Sequence, residues 1–179
     1  ETYDFIITDE IVTPKKQQQY YSEKFLFMPE SYQINNGSRI YSNESRNENN
    51  IPEDAFVLGC LNQSFKLDPV FFDIWLNIMD KCKSTVLWLL NDNEEMSNNI
   101  KKYASERIDT RRIIFADRVD YDQHIKRSGI IDLALDTRVY NGHTTSIEMI
   151  QCGVPLITCQ GNHFASRVSA SILTRVGME

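Results

Sequence analysis

The sequence predicts an α/β fold, in which a parallel β-sheet is covered by helices on both faces. From residue 51 onward, five short runs rich in Val, Ile, Leu and Phe alternate with segments of helical period. The runs lack the regular alternation of a sheet with one face in water, so each strand should be buried on both faces. A strand followed by a helix, repeated five times, is typical of a Rossmann-like domain.

The elements follow each other at regular spacing. The first strand of this series, at 55–61, leads to Asp68 and Pro69, which predict a helix N-cap and first helical residue. The following helix should bury one side, formed by Phe71, Trp75, Ile78 and Met79. The remaining strands are predicted at 85–90, 112–115, 131–135 and 155–158, and the remaining helices at about 94–107, 122–127, 144–152 and 165–176.

The first 50 residues do not continue this alternation of strands and helices. Residues 3–9 predict a short strand, which cannot bury its own apolar faces, so residues 1–30 are interpreted as the end of another structural unit. Residues 31–50 are almost entirely polar and are predicted to be a linker. Residues 51–179 then form the α/β domain.

Composition excludes several classes of protein. With 19 basic and 25 acidic side chains, the net charge of −6 argues against a broad nucleic-acid surface. No apolar run approaches the ~18 residues of a membrane span, and no targeting segment is present, so a soluble chain is expected. The four cysteines show no metal-binding spacing. Three of them lie in or beside apolar runs, which predicts buried thiols in a reducing compartment, with a disulfide framework as the alternative.

Residues 136–146 form the strongest candidate site. The segment runs from a strand end through Gly142 and His143 to Thr144 and Thr145 at a helix start. Unpaired amides and the dipole at a helix N-terminus attract anions, and hydroxyl and imidazole groups add donors, so the segment predicts a phosphate cradle. The alternative is that a threonine only caps the helix and Gly142 only eases a turn.

Other candidates lie in loops at the same edge of the sheet, where ligands of such folds bind. Lys66 precedes the capped helix and could neutralise a phosphate. Glu148 lies one turn beyond Thr144 and could accept hydrogen bonds from ribose hydroxyls, although a solvated surface glutamate is the alternative. His124 and Arg127 could stack on a base and donate to its edge, unless they belong to an exposed charged helix face.

Taken together, several segments resemble one known family. They are Asn62-Gln63 with Lys66, Asp68 and Pro69; residues 86–90 and 112–115; Asp136-Thr137 with Asn141-Gly142-His143-Thr144-Thr145; and residues 165–168. These segments are similar to the protein O-linked N-acetylglucosamine transferases, in the C-terminal half of the GT-B catalytic region. Residues 6–9, 21–24 and 28–29 resemble the end of the N-terminal catalytic half.

The resemblance implies UDP-N-acetylglucosamine as donor, transferred with inversion to Ser or Thr hydroxyls of intracellular proteins, with no metal or other cofactor. Gln63 and Lys66 would hold the diphosphate, and Lys66 would stabilise the leaving UDP. The residues implied to complete the phosphate cradle are His143, Thr144 and Thr145.

The resemblance also implies a nucleoside site. His124 would stack beside uracil, while Arg127 and the backbone from Val119 to Tyr121 would contact the edge of the base. Glu148 matches a ribose-binding position where the animal enzymes have Asp, and the added methylene changes the expected ribose geometry.

The family's tetratricopeptide helices and most of its N-terminal catalytic half have no counterpart in the chain, so a fragment is expected that does not transfer sugar alone. The general base and any oligomerisation would come from the missing parts, and the parent protein would be cytoplasmic or nucleocytoplasmic. Two alternatives stay open. One is a SPINDLY-type protein O-fucosyltransferase using GDP-fucose, suggested by residues 173–177, and the other is a non-catalytic α/β nucleotide-binding module.

Overall fold

The computed structural model describes residues 3–35, 39–42 and 44–178. Its main sheet has five parallel strands: β3 (Phe56–Cys60), β4 (Thr85–Leu90), β5 (Ile113–Ala116), β6 (Leu133–Leu135) and β7 (Leu156–Ile157). The strand order is β5-β4-β3-β6-β7. A two-stranded parallel sheet, formed by β1 (Phe5–Thr8) and β2 (Lys24–Phe27), precedes it. The predicted strand at 3–9 is therefore present and pairs with a second strand.

Each strand of the main sheet is followed by a helix. These are α1 (Pro69–Lys81), α2 (Glu94–Ala104), α3 (Tyr121–Ser128), α4 (Thr144–Gln151) and α5 (Val168–Arg175), the last preceded by a short 3-10 turn at Phe164–Ser166. Asp68 caps α1 by accepting a hydrogen bond from the Phe71 amide, as predicted. No helix in the described part of the chain combines the length and apolar character needed to cross a membrane.

The two faces of the sheet bury separate apolar cores. Along β4, Val86 and Trp88 belong to the core on one face, and Leu87 and Leu89 belong to the core on the other. All six residues of β4 are buried, which is expected for the interior of a doubly covered parallel sheet. The predicted fold class is confirmed.

The structure corrects the predicted buried face of α1. Trp75 and Met79 are buried as expected, but their partners are Phe72 and Leu76, while Ile78 is exposed and Phe71 only partly buried. Positions 72, 75, 76 and 79 have the i, i+3, i+4, i+7 spacing of one helix face, so the buried stripe shares two positions with the predicted one and is rotated relative to it around the helix axis. Phe71 instead packs below the Arg138 guanidinium, 5.7 Å from its ring centre.

The prediction of buried thiols holds only in part. Cys60 is buried at the end of β3 and Cys152 is partly buried, but Cys82 and Cys159 are exposed and all four are free. Cys82 is the C-cap residue of α1, and Cys159 follows β7. Apolar neighbours in the sequence therefore do not by themselves predict that a side chain is buried.

The N-terminal residues pack on the main domain. Val12 is fully buried against Ile147 of α4 and Val168 and Ile172 of α5. The Asp9 carboxylate accepts a hydrogen bond of 2.7 Å from the Ser171 hydroxyl. These contacts attach the 9–12 turn to the two helices that follow β6 and β7.

Candidate functional site

Two loops meet at the carboxyl edge of the sheet, between β3 and β6. These neighbouring strands lie where the strand order reverses, the place at which ligands bind in open α/β sheets. The Asn62 amide donates to the Thr137 hydroxyl at 3.2 Å, and the Lys66 ammonium donates to the Asn141 carbonyl at 3.0 Å. The predicted Lys66 and 136–146 segments are therefore in direct contact.

Asp136 shapes the loop between β6 and α4. Its Oδ1 atom accepts hydrogen bonds from the amides of Thr137 (2.8 Å) and Gly142 (2.7 Å), and its Oδ2 atom accepts one from the Thr158 hydroxyl at 2.6 Å. The side chain is buried, and burial raises its pKa. The sequence pattern includes Asp136 in the motif but assigns it no role; its position directly after a buried strand is the signal that could have found it.

Gly142 allows this loop to approach α4 closely. A Cβ atom at position 142 would lie 2.5 Å from the Ser146 hydroxyl and 3.2 Å from the Asn62 side-chain oxygen. The Ser146 hydroxyl donates to the Gly142 carbonyl at 2.9 Å, so it cannot move away without losing that bond. Gly142 therefore has a packing role in addition to easing a turn.

Helix α4 presents its first turn at this edge. His143 is its N-cap residue, and no side chain caps the helix, so the alternative that a threonine serves only as a cap is wrong. Thr144 is exposed and Thr145 partly buried. The first amides of a helix have no partner within it and carry the positive end of the dipole, so this turn can accept an anion.

His143 and Lys66 lie beside the same turn. The His143 Nδ1 atom is 3.3 Å from the Tyr32 hydroxyl, and its buried Nε2 atom has no hydrogen-bond partner among the described residues. Lys66 extends over the Tyr140 ring, with its Nζ atom 4.1 Å from the ring centre. Burial lowers the pKa of Lys66, and burial together with the Lys66 charge lowers the pKa of His143.

A cavity of about 400 Å³, here called cavity A, opens beside this turn. Its lining residues are Leu61, Gln63, Leu90, Arg118, Val119, Tyr121, His124, Arg127 and Thr145. Six of them are predicted site residues: Gln63, Val119, Tyr121, His124, Arg127 and Thr145. Thr145 belongs to the first turn of α4 and lines cavity A, so the cavity adjoins the anion-accepting turn. A depression of about 480 Å³ between α1 and α2 is lined by none of the predicted site residues.

Arg127 and Glu148 are buried, contrary to the alternatives of an exposed helix face and a solvated glutamate. Arg127 is 5% exposed, with its guanidinium 5.7 Å from the Trp88 ring, and its Nε and Nη2 atoms have no hydrogen-bond partner among the described residues. Glu148 is 6% exposed and does not line cavity A. Its Oε2 atom is 4.0 Å from Nε2 of His124.

Burial shifts the pKa values of Glu148 and His124. Burial raises the pKa of Glu148, and burial with the nearby Arg127 charge lowers the pKa of His124. Both shifts favour the neutral forms, because charged groups lose hydration when buried. A neutral imidazole in the wall of cavity A can stack on an aromatic ring and still donate or accept a hydrogen bond.

The two lowered histidine pKa values predict a loss of stability in acid. In the folded chain His124 and His143 titrate below the ordinary value of 6.5, so the unfolded chain binds more protons as the pH falls through 6.5. The contribution of these two histidines to the free energy of unfolding should be fully present above that pH and should decrease below it. Urea unfolding of the unmodified chain between pH 5 and 8 measures this slope.

A double variant, His124→Gln with His143→Gln, should lose part of that slope. His163→Gln is the matched control, because His163 is exposed. If the free energy of unfolding of the double variant and of the unmodified chain depends on pH with equal slopes, His124 and His143 do not cause the loss of stability in acid.

Comparison with known proteins identifies the family to which the chain is similar. The model of glycosyl transferase family 41 matches residues 39–179. A relative named probable UDP-N-acetylglucosamine–peptide N-acetylglucosaminyltransferase SEC, from Arabidopsis thaliana, is 33% identical over 183 residues, which cover 98% of this chain and 19% of the relative. The UDP-N-acetylglucosamine–peptide N-acetylglucosaminyltransferase of Caenorhabditis elegans is 36% identical over 135 residues, covering 75% of this chain and 12% of the relative.

A solved structure agrees on the fold. A mutant O-GlcNAc transferase of Thermobaculum terrenum superposes with a TM-score of 0.84 at 22% identity, covering 98% of this chain and 34% of that one. This likeness supports the predicted GT-B glycosyltransferase fold. The chain spans about a fifth or less of the length of the two curated relatives. With most of its length matched by the family model and a third of its residues identical to a member, the chain belongs to glycosyl transferase family 41.

Proposed function

We propose that this chain is the donor-binding part of an inverting glycosyltransferase that moves N-acetylglucosamine from UDP-N-acetylglucosamine to Ser or Thr hydroxyls of intracellular proteins. The observation that carries the proposal is the continuity of cavity A with the first turn of α4, beside Lys66 and His143. A site for a nucleoside diphosphate needs a pocket for the flat base beside a turn that accepts the anionic phosphates. The names of the two curated relatives support the choice of donor.

The proposed binding mode follows from the positions of the side chains. The diphosphate lies on the first amides of α4, with Lys66 and Gln63 on one side and His143, Thr144 and Thr145 on the other. This placement uses the positive end of the helix dipole and the Lys66 ammonium group, both of which stabilise phosphate oxygens.

The base enters cavity A in this binding mode. His124 stacks against the ring, and the Arg127 guanidinium donates to a carbonyl oxygen of the base, near the backbone of Val119 to Tyr121. Glu148, directly behind His124, is the proposed acceptor for ribose hydroxyls. Glu148 is buried and does not line cavity A, so the ribose contact is the part of the binding mode that needs rearrangement.

The chemical role of Lys66 follows from the charge that develops during transfer. When the bond between the sugar C1 and the phosphate oxygen breaks, negative charge grows on the leaving UDP. The Lys66 ammonium and the α4 amides stabilise that charge without a metal ion. Binding of the diphosphate also favours the ammonium form of Lys66, which opposes the lowering of its pKa by burial.

Calorimetric titration of the 179-residue chain with UDP and with GDP tests the proposal. We expect UDP to bind more tightly than GDP, and His143→Ala to weaken both, because the diphosphate is common to them. Tighter binding of GDP would instead support the SPINDLY-type fucosyltransferase. If neither nucleotide binds or raises the melting temperature, the chain is a module without a nucleotide site and the proposal is wrong.

A further inference from the structure

A second cavity adjoins cavity A through a shared wall. This space, here called cavity B, has a volume of about 290 Å³ and is lined by Glu44, Glu48, Asn49, Val119, Gln123 and Arg127. Val119 and Arg127 line both cavities. The other wall of cavity B comes from residues 44–49, part of the segment that the sequence predicted to be a linker.

The guanidinium of Arg127 is a buried charge that needs compensation. The side chain is 5% exposed, and neither Nε nor Nη2 has a hydrogen-bond partner among the described residues. Burial lowers the pKa of Arg127, and the negative charges of Glu44 and Asp117 oppose that shift. Glu44 shares the lining of cavity B with Arg127, whereas Asp117 follows β5 and is bonded to the Asn91 side chain at 2.7 Å.

Residues 44–51 are anchored to the sheet and are not a free linker. The Nη2 atom of Arg46 donates to both carboxylate oxygens of Asp132, at 2.8 and 2.7 Å, and its Nη1 atom donates to the carbonyls of Glu53 and Ala55. Asp132 in turn accepts a bond of 2.7 Å from the amide of Val57. Arg46 therefore connects the segment to the starts of β3 and β6.

The same segment fixes the position of Glu44. The Asn49 amide donates to Oε2 of Glu44 at 3.2 Å. After Asn49 the chain turns at Asn50, which has a positive φ of 57°, and Ile51 enters the core at 1% exposure. Anchors at Arg46 and Ile51 therefore flank the turn that holds the Glu44 carboxylate.

We propose that Glu44 is a positioning residue that holds the Arg127 guanidinium in the wall of cavity A, so that segment 44–51 takes part in recognition of the nucleotide base. This inference rests on the proposed function, because it concerns the same nucleotide site. Arginine has donors and no acceptors, so its contribution to base recognition depends on where its N–H groups point. The negative charge of Glu44, on the cavity B side, attracts the guanidinium and so biases the direction of its N–H groups.

The proposal predicts an effect that depends on the base. In Glu44→Gln the charge partner in cavity B is lost, and the guanidinium is free to turn away from cavity A. UDP should then bind about tenfold more weakly, the loss expected for one misplaced charge-assisted hydrogen bond. Inorganic pyrophosphate has no base, so its affinity should stay unchanged. Calorimetric titration with UDP and with pyrophosphate measures the two affinities.

Three further variants complete the experiment. Arg46→Ala releases the segment and should reproduce the loss for UDP, while Glu44→Asp, which keeps the charge, should recover part of it. Glu106→Gln makes the same change in net charge at an exposed position just beyond the end of α2 and should have no effect. Urea unfolding without ligand verifies that each variant folds.

The outcomes separate this inference from the proposed function. A loss for UDP that pyrophosphate does not share supports a role for Glu44 in base recognition. Equal losses for both ligands, or UDP binding by Glu44→Gln equal to that of Glu106→Gln, would overturn the inference and leave the proposed function standing. Absence of UDP binding by the unmodified chain would overturn both.

Discussion

Replacing Lys66 with alanine is expected to weaken UDP binding by about thirtyfold, which corresponds to ~2 kcal/mol. The Lys66 Nζ atom donates to the Asn141 carbonyl at the start of the turn that leads to α4, and it lies over the face of the Tyr140 ring. Both contacts hold the ammonium where the proposed diphosphate would lie. Because Lys66 is half-buried, its charge is screened less than that of a surface lysine, and calorimetric titration with UDP measures its loss.

Lys126→Ala is the matched control for this variant. Lys126 lies on α3, the helix that carries His124 and Arg127, but it points to solvent. It should change UDP affinity less than about twofold, as expected for a screened surface charge. If Lys66→Ala and Lys126→Ala have equal effects, Lys66 does not contact the diphosphate and serves only to join two loops.

Replacing Asp136 with alanine is expected to lower the free energy of unfolding by about 3 kcal/mol. The substitution leaves the amides of Thr137 and Gly142 and the hydroxyl of Thr158 without their acceptor in a buried environment. Unpaired buried donors are costly because they have also lost their hydrogen bonds to water. The loop that leads to His143 should lose its shape, so UDP binding should fall as well. Urea unfolding measures the stability change.

Asp136→Asn separates hydrogen bonding from charge. Its amide oxygen can accept from both backbone amides in place of Oδ1, and the Thr158 hydroxyl can rotate to accept from the new NH₂ group. Stability should therefore fall by only about 1 kcal/mol. A loss as large as that of the alanine variant would show that the negative charge, and not the hydrogen-bond pattern, maintains the loop.

The order and approximate bounds of the main elements could be predicted because local patterns determine them. Asp68 and Pro69 start α1, Gly153 with its positive φ follows the end of α4, and five apolar runs correspond to the five strands of the main sheet. The pairing of β1 with β2 could not be predicted, since the partner strand, Lys24–Phe27, is only four residues long and half exposed. Strand pairing is a contact between distant residues, which local periodicity does not reveal.

The location of the candidate site was predictable from the sequence, but the burial of its side chains was not. Ligands bind at the carboxyl edge of a parallel sheet, and this rule alone is enough to predict that Lys66 and the 136–146 loop lie close together. The burial of Arg127 was not predictable, because it depends on Trp88 from β4 and on the 44–51 segment. The attachment of the predicted linker to the domain was not predictable either. Its composition is polar, and composition does not indicate that Arg46 bonds to Asp132 or that Ile51 enters the core.

The sequence by itself determined which backbone segments become strands and helices, and which motifs face one edge of the sheet, because hydrophobic period, capping residues and glycines act over a few neighbouring residues. Only the tertiary structure decided which charged side chains lose contact with water. Arg127, Asp136 and Glu148 appear in the sequence as ordinary polar residues, yet all three are buried. Burial depends on elements far apart in the chain, and burial is what gives these groups shifted pKa values and a need for partners.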